Sequence, residues 1–357
     1  MELNIRTLPD SQRKTPPADI SKVAFGTVMT DHMFMMEWDK GKDWHSARIE
    51  PYHKLELDPS AMIFHYGPEA FEGLKAYKSA NGQHVLFRPK VNFERMNRTA
   101  QRMCLPEIDI EFVLSSLKKL LQVESRWIPE SPGTSLYIRP TLIGVEEALG
   151  LKVPNRFLFF IIMCPVGPYY PEGFNPVKIV VSETYTRAAP GGTGEAKTAG
   201  NYAASILAEK EAKARGYTQV LWLDAVERKY VEEVGSMNIF FVIGNDLVTP
   251  KLTGTILPGI TRQSVLEMGR HWGLNVVEKR ISIEEVVQAY HSGQLKEIFG
   301  SGTAAVISPV GLLHYKDQDL VINGGKTGPV AQRFFNEITG IQYGQKPDPF
   351  SWMVPVA

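Results

Sequence analysis

Cysteine is scarce in this sequence: its 357 residues include two cysteines, Cys104 and Cys164. Two cysteines are too few for a disulfide framework or for a cysteine-based zinc site. We therefore expect no structural disulfide and no bound metal. Because sparse cysteine is typical of a reducing compartment, the composition also predicts a cytoplasmic protein.

An excess of charge of one sign is also absent. The 39 Lys and Arg residues balance the 39 Asp and Glu residues, so the formal net charge is zero. Without a global basic field, the chain has no general means of attracting nucleic acid or an anionic lipid surface. Any anion site must therefore be local, and we expect small-molecule ligands rather than nucleic acid.

Long hydrophobic runs are missing as well. The longest run, residues 157–166, has about half of the roughly 20 residues that a membrane-spanning helix needs. It is rich in Phe and Ile, which favours a buried strand. Residues 1–17 mix acidic and basic side chains, which predicts a surface arm rather than a signal peptide. We expect no membrane association.

The chain does have the length and the mixture of segments of a two-domain globular protein. Apolar residues make up 43% of the sequence and charged residues 22%, and one domain is usual for each ~150 residues. Proline and glycine are dense in residues 165–176, which predicts a linker between a smaller N-terminal domain (1–164) and a larger C-terminal domain (177–357). Strand-like and helix-like segments intermix in both halves, which predicts an α/β or α+β fold.

Local patterns predict several elements. Apolar runs at residues 23–28 and 33–38 flank a turn and predict a β-hairpin. Apolar residues then recur every three or four positions over residues 93–103, which predicts a helix with Asn92 as its N-cap. A second helix is predicted over residues 110–123. Further helices are predicted at residues 201–215, 261–272, 283–291 and 329–338.

Four glycine-containing segments carry chemically useful side chains. Lys197 stands in residues 190–202, where glycines would leave its amine little hindered. Glu233 could pair with a cationic ring nitrogen. The helix start at Thr261 offers N–H groups that suit a phosphate, and the small-residue loop 299–305 offers N–H and hydroxyl donors. Taken singly, these segments fit equally well a surface lysine, a charged turn, a capped helix and a tight turn.

Together the four segments resemble one family. The run Glu233-Val234-Gly235-Ser236-Met237-Asn238-Ile239-Phe240, followed by Leu257-Pro258-Gly259-Ile260-Thr261-Arg262, resembles the signature of class IV aminotransferases. The segments Phe71-Glu72-Gly73-Leu74-Lys75-Ala76-Tyr77 and Tyr137-Ile138-Arg139-Pro140 narrow the resemblance to branched-chain amino acid aminotransferases, nearest to the longer subtype that includes the animal enzymes. This resemblance runs over nearly the full chain. It implies a two-domain, D-amino acid aminotransferase-like fold of type IV.

Members of this family hold pyridoxal 5'-phosphate on a lysine and move an amino group between branched-chain amino acids and 2-oxoglutarate. The resemblance implies that Lys197 is the catalytic lysine and that Glu233 keeps the pyridine nitrogen protonated. A buried lysine amine can also act as a base, which fits that role. Tyr202 is implied to hydrogen-bond the ring oxygen. The remaining implied cofactor contacts, which surround the phosphate or pack on the ring, are Arg95, Arg187, Leu257, the N–H groups of Ile260 and Thr261, and Thr303.

The substrate contacts are likewise implied by the resemblance. Ser236 and the N–H of Ala304 match the groups that receive the α-carboxylate. Arg139 matches a residue that helps with the second carboxylate of glutamate. Leu151 matches a residue contributed by the other subunit, so a homodimer is implied. Four aromatic residues match the apolar wall around the substrate side chain: Phe25, Tyr66, Tyr137 and Tyr169.

Other interpretations stay open at this point. D-amino acid transaminases and aminodeoxychorismate lyases share the fold type and the cofactor, although the segments at Phe71 and Tyr137 match the branched-chain group better. A non-catalytic binding protein could keep the fold without the chemistry, although the joint presence of Lys197, Glu233 and Arg95 argues against it. A dehydrogenase is disfavoured because no dinucleotide fingerprint follows a strand.

Overall fold

The computed structural model describes residues 1–167 and 174–357. Its contacts divide the chain into two compact units, of which the first comprises Met1–Tyr169, Ala196–Ala199 and Gly340–Ala357. The second comprises Tyr170–Glu195 and Gly200–Thr339. These units are not contiguous in sequence, unlike the predicted domains. Two later segments, the one carrying Lys197 and the C-terminal one, pack with the first unit.

Strands and helices intermix in both units, which confirms the predicted mixed α/β class. The described strands are β1 (Asn4–Ile5), β2 (His32–Asp39), β3 (Asp43–Pro51), β4 (Glu69–Phe71), β5 (Leu74–Lys78), β6 (His84–Phe87), β7 (Ser135–Gly144), β8 (Arg156–Val166), β9 (Val177–Val181), β10 (Gln219–Leu223), β11 (Val231–Val234), β12 (Met237–Ile243), β13 (Asp246–Pro250), β14 (Asn275–Lys279), β15 (Leu295–Gly302), β16 (Val306–Tyr315), β17 (Gln318–Val321) and β18 (Met353–Pro355). The described helices are α1 (Met62–Tyr66), α2 (Pro89–Arg102), α3 (Ile110–Val123), α4 (Ala199–Ala203), α5 (Ile206–Ala214), α6 (Ile260–His271), α7 (Ile283–His291) and α8 (Pro329–Gln342).

The sheet of the first unit has the order β1-β3-β2-β8-β7-β5-β6-β18, with β4 beside β7. Strand β2 pairs with β3, so that Phe34 lies opposite Ile49. The predicted hairpin of residues 23–28 with 33–38 is therefore wrong. Residues 23–28 form turns instead, because Gly26 has a φ of +74° and Thr27 N–H bonds back to Ala24.

Helices α2 and α3 cover one face of this sheet. Phe93, Met96 and Ala100 of α2 are buried in the core with Leu74 and other strand residues, which confirms the predicted apolar face. The predicted N-cap Asn92 is wrong, because α2 begins at Pro89. Proline is pre-organised for the first helical position, so the helix starts earlier and Asn92 lies inside it.

The predicted helix over residues 110–123 is confirmed as α3. Its N-cap is Asp109, whose carboxylate accepts a hydrogen bond from Phe112 N–H at 3.0 Å. A side-chain acceptor at this position satisfies one of the N–H groups that every helix start leaves without an intrahelical partner. Local sequence therefore determines where α3 begins.

The sheet of the second unit has the order β11-β10-β9-β16-β15-β12-β13-β14, with β17 beside β16. It is mixed, since β9 runs parallel to β10 and β16 while β12 and β15 are antiparallel. Ile283 and Val286 of α7 are buried in the core of this unit. The predicted helix at 201–215 is divided into α4 and α5, where the Ser205 hydroxyl bonds the Tyr202 carbonyl at 2.9 Å.

No helix in residues 1–167 and 174–357 is both long and apolar enough to cross a bilayer.

Candidate active site

Lys197 belongs to the short segment that packs with the first unit, and its backbone is held from both sides. Its N–H donates to Thr99 Oγ1 at 3.0 Å, and its carbonyl accepts from Phe71 N–H at 3.0 Å. Thr99 lies on α2, and Phe71 ends β4. The Lys197 Nζ lies 4.8 Å from the centroid of the Phe71 ring. A helix and a strand end therefore hold the backbone of Lys197 in place, although the lysine is in a loop.

Arg95 is buried on α2 and pairs with Glu72. The same helix carries Thr99, which bonds the backbone of Lys197. Arg95 Nε and Nη2 donate to the two carboxylate oxygens of Glu72 at 2.7 and 2.8 Å. Asn92 Nδ2 adds a third donor at 2.8 Å. Burial alone would raise the pKa of Glu72, but attraction and hydrogen bonds from Arg95, aided by Lys197, hold that pKa below its usual value.

The motif Phe71-Glu72-Gly73-Leu74 assigns Glu72 no role, and no motif identifies Asn92 or Thr99 as site residues. A signal was present. Asn92, Arg95 and Thr99 recur at intervals of three and four residues, as on one helix face, beside the apolar stripe of α2. A polar stripe on a helix that is otherwise buried indicates polar partners inside the unit.

The structure also brings together three of the predicted substrate residues. Arg139 Nη2 donates to the Tyr137 hydroxyl at 3.0 Å, and the rings of Phe25 and Tyr137 meet edge to face with centroids 4.9 Å apart. The Arg139 guanidinium lies 4.9 Å from the Phe71 ring centroid. Phe71 therefore contacts both Arg139 and the Lys197 amine. The group offers an aromatic wall with one cation at its edge.

Two further predicted residues lie in a different, exposed group. Tyr66 and Leu151 are 43% and 79% exposed. The Tyr66 hydroxyl donates to the carbonyl of Leu149, which is itself 65% exposed. We call Phe64, Tyr66, Leu149, Leu151 and Val153 the exposed apolar patch. Tyr169, also predicted as a substrate contact, lies outside the described residues.

In the second unit, Glu233 is a buried carboxylate on β11. It accepts a hydrogen bond from Leu257 N–H at 2.7 Å, and Arg187 Nε lies 3.4 Å from its other oxygen. Arg187 also donates to the Gly194 carbonyl at 3.2 Å. The family resemblance implies that Arg187 lies near the phosphate; in the structure its side chain contacts Glu233 and the backbone carbonyls of Gly194 and Thr255.

The start of α6 lies close to Leu257 in sequence and has no capping side chain. Its N-cap is Gly259, which supplies no capping side chain, so the first-turn N–H groups of Ile260 and Thr261 have no side-chain acceptor there. A Cβ on Gly259 would lie 2.0 Å from Asn238 Oδ1. Asn238 Nδ2 in turn donates to the Leu257 carbonyl at 2.9 Å. Glycine is therefore required at this approach.

The remaining predicted residues of this unit lie in turns or near helix starts. Asn238 on β12 faces Ser301 on β15, which leads directly into the turn holding Thr303 and Ala304. Ser236 lies in the turn between β11 and β12. Tyr202 is half-buried on α4.

These residues fit a phosphate-bearing pyridine cofactor. The second unit offers a buried carboxylate for a protonated ring nitrogen and an uncapped helix start for a phosphate. The first unit offers the Lys197 amine and the Arg95 guanidinium. Among the residues that the structure describes, no group of three or more His, Cys, Asp and Glu side chains is arranged to hold a metal ion.

Comparisons with known proteins identify the family of this chain. The model of the family "amino-transferase class IV" matches residues 69–313. Branched-chain-amino-acid aminotransferase 2 of Bacillus subtilis (strain 168) is 52% identical over 344 residues, covering 96% of this chain and 95% of that protein. The Escherichia coli branched-chain amino acid aminotransferase structure has a TM-score of 0.75 at 27% identity, covering 90% of this chain and 99% of its own.

A third similarity comes with a bound compound. The structure of the branched-chain aminotransferase of the thermophilic archaeon Thermoproteus uzoniensis, solved with norvaline, has a TM-score of 0.75 at 28% identity. The match covers 91% of this chain and 100% of that one. The family model thus defines the class, and the relatives define the group within it. The chain belongs to the class IV aminotransferases and, within them, to the branched-chain-amino-acid aminotransferases.

Proposed function

We propose that the protein is a pyridoxal 5'-phosphate-dependent branched-chain-amino-acid transaminase. It transfers amino groups reversibly, by a ping-pong route, between L-leucine, L-isoleucine or L-valine and 2-oxoglutarate. The products are branched-chain 2-oxo acids and L-glutamate. The observation that carries the choice of substrates is the 52% identity, over 96% of this chain, to a Bacillus subtilis protein of that name.

In this proposal, the cofactor is held at both ends. Glu233 pairs with the ring nitrogen, and Leu257 packs on the ring. The N–H groups of Ile260 and Thr261, together with Arg95, receive the phosphate, with Thr303 as a hydroxyl donor. When bound, pyridoxal phosphate supplies an electron sink for the electrons left at the substrate Cα after its proton departs. Tyr202 completes the set as a hydrogen-bond donor to the ring oxygen.

Lys197 is the catalytic base. Its Nζ takes the proton from the substrate Cα and later delivers a proton to complete the amino transfer. The hydrogen bonds from Lys197 N–H to Thr99 and from Phe71 N–H to the Lys197 carbonyl support this role, because they fix the backbone from which the amine reaches out. A fixed backbone removes part of the entropy cost of placing the base at its proton.

The substrate pocket has to accept two kinds of side chain: a branched alkyl group and the acidic side chain of glutamate. The aromatic wall of Phe25 and Tyr137 suits the alkyl group, and Arg139 at its edge suits the second carboxylate. Ser236 and Ala304 N–H receive the α-carboxylate. This division of polar and apolar contacts lets one pocket serve both half-reactions.

The protein acts as a cytoplasmic homodimer in this proposal. The exposed apolar patch supports dimerisation, because adjacent exposed apolar side chains mark interaction surfaces. Leu151, which matches a residue contributed by the other subunit, lies in it. Cys104 and Cys164 are free thiols, which supports a reducing compartment. Light scattering on wild type and Leu151→Asp would test the dimer: the wild type should have twice the monomer mass, and the variant should dissociate.

A substrate panel tests the activity. Full-length protein loaded with pyridoxal phosphate is assayed with L-leucine, L-isoleucine, L-valine and D-alanine, each with 2-oxoglutarate, and glutamate formation is followed. We expect the three branched-chain L-amino acids to react and D-alanine not to. A preference for D-alanine would reject the proposal in favour of a D-amino acid transaminase. Absence of any transfer would favour a non-catalytic binding protein.

A further inference from the structure

Glu72 is the most completely buried carboxylate of the Lys197 region, at 0% exposure. Both of its oxygens are engaged, one by Arg95 Nε and the other by Arg95 Nη2, Asn92 Nδ2 and Gly73 N–H. A two-point contact between carboxylate and guanidinium defines the plane of the arginine side chain as well as its position. The Glu72 carboxylate therefore sets the direction of the other N–H groups of Arg95.

The partners of Glu72 also hold it in place. Asn92 Nδ2 bonds the Gly73 carbonyl at 3.3 Å as well as the Glu72 carboxylate, so it ties the strand end to α2. Thr99, two turns further along α2, anchors Lys197 N–H. The same helix face thus positions the arginine and the catalytic lysine.

Charge and geometry make opposite predictions for the loss of Glu72. If charge dominated, removing this anion would take one negative charge away from the surroundings of Arg95 and Lys197, and a phosphate would bind more tightly. If orientation dominates, Arg95 would lose the contact that fixes its plane, and the phosphate would bind less tightly. The short two-point pairing at 2.7 and 2.8 Å favours orientation.

We propose that Glu72 is a positioning residue for the cofactor phosphate, acting through Arg95. The proposal rests on the proposed function to the extent that Arg95 contacts the phosphate there. In this proposal, Glu72 does not contact the cofactor itself. It is nevertheless necessary for phosphate recognition, because it orients Arg95. It also gives a reason for a glutamate at this position of the Phe71-Glu72-Gly73-Leu74 segment.

The test compares two ligands that differ by one phosphate. The dissociation constants of pyridoxal phosphate and pyridoxal are measured by equilibrium dialysis on full-length protein stripped of cofactor. For Glu72→Gln we expect the constant for pyridoxal phosphate to rise by about 10- to 100-fold, the worth of one hydrogen bond to a charged group. The dissociation constant of pyridoxal should change by less than about twofold in the same variant. A purely structural role would weaken both ligands alike.

A double variant tests whether Glu72 acts through Arg95. In an Arg95→Gln background, Glu72→Gln should add no further loss of pyridoxal phosphate affinity, because the arginine it orients is gone. Glu72→Asp provides a variant that keeps the charge but cannot reach both nitrogens, and an intermediate loss is expected. This variant decides the case if Glu72→Gln does not fold, since unchanged affinity in a folded Glu72→Asp protein would overturn the proposal.

Glu124→Gln is the matched control. Glu124 is also buried in the first unit, at 1% exposure, but it pairs with His32 and not with Arg95. Its substitution should leave the preference for pyridoxal phosphate over pyridoxal unchanged. Tighter or unchanged pyridoxal phosphate binding in Glu72→Gln, or additive losses in the double variant, would overturn the proposal. The proposed activity and the proposed role of Glu72 can be rejected independently. A wild-type protein that transfers no amino group in the substrate panel can still prefer pyridoxal phosphate over pyridoxal.

Discussion

The Tyr137 hydroxyl occupies the space that a side chain on Gly73 would need. A Cβ built on Gly73 would lie 2.1 Å from Tyr137 Oη and 2.9 Å from Cζ. Tyr137 is buried, and Arg139 donates to its hydroxyl at 3.0 Å. A glycine between Glu72 and Leu74 therefore lets Tyr137 pack against the strand end that holds Arg95.

Gly73→Ala should destabilise the protein. The added methyl group would force Tyr137 off its position, and overpacking of this kind costs about 1–3 kcal/mol. The free energy of unfolding in urea measures the effect. Gly150→Ala is the control, because a Cβ there would meet no atom within 4 Å. Equal stability of the two variants would mean that Tyr137 moves aside without cost.

Gly259→Ala should weaken cofactor binding. Its Cβ would lie 2.0 Å from Asn238 Oδ1, so the amide that holds the Leu257 carbonyl would have to move, and the start of α6 with it. A displacement worth about 1–3 kcal/mol raises the dissociation constant of pyridoxal phosphate by about 5- to 100-fold. Adding Asn238→Ala removes the clash and should restore part of the affinity. No recovery in the double variant would show that the clash is not the cause.

The sequence allowed the elements to be predicted where local signals dominate. Helix α3 has the predicted bounds because its Asp109 cap and apolar spacing are both local. The apolar run at residues 23–28 gave no reason to reject a hairpin. The hairpin is absent because β2 pairs with β3 instead and because the chain turns at Gly26. Tertiary pairing overrides strand propensity in such cases.

The sequence predicts candidate site residues, but it does not predict the contacts that those residues make. Lys197, Glu233 and the Gly259 turn stand in motifs, so their chemistry is legible in the sequence. The partners of Arg95 are not, because Glu72 and Asn92 come from a strand end and a helix that are brought together only on folding. Asn92 is in addition predicted as a helix N-cap, because asparagine is favoured at that position, and this prediction hides its contact with Glu72.

Asp31 should make stability depend on acid pH. Its side chain is 1% exposed and accepts hydrogen bonds from Trp127 Nε1, Lys14 N–H and Arg126 Nη2. Burial opposes ionisation, but Arg126 and the other donors outweigh it, so the pKa of Asp31 lies below its usual value. The folded state therefore binds fewer protons than the unfolded state, and this stabilisation is complete above about pH 4 and lost as the pH falls through the lower, folded pKa.

Asp31→Asn tests this dependence. At pH 7 the variant should be less stable than wild type by about 1–3 kcal/mol, since it loses hydrogen bonds to a charged acceptor. The difference should shrink as the pH is lowered from about 5 towards about 2, as measured by urea unfolding at each pH. A difference that stays constant over this range would show that the ionised carboxylate is not what stabilises the fold.

Lys75 should produce a dependence at alkaline pH. It lies on β5 opposite Tyr137, and burial lowers the pKa of its ammonium to about 8. Between this value and the ordinary lysine pKa, the unfolded state binds more protons than the folded state, so stability rises with pH. Relative to Lys75→Met, wild type should gain about 2 kcal/mol between about pH 7 and about pH 9.5.

Comparison with Lys75→Met isolates this contribution. Tyr77 and Tyr343, whose pKa values burial raises, are present in both proteins, so their titration cancels in the difference. Lys42→Met, at a lysine whose side chain is 72% exposed, should keep a constant difference from wild type over the same range. If the Lys75→Met difference is equally flat, the Lys75 ammonium is solvated in the folded protein. A rising difference would instead identify Lys75 as a cation that the fold buries beside Tyr137 at a cost in stability.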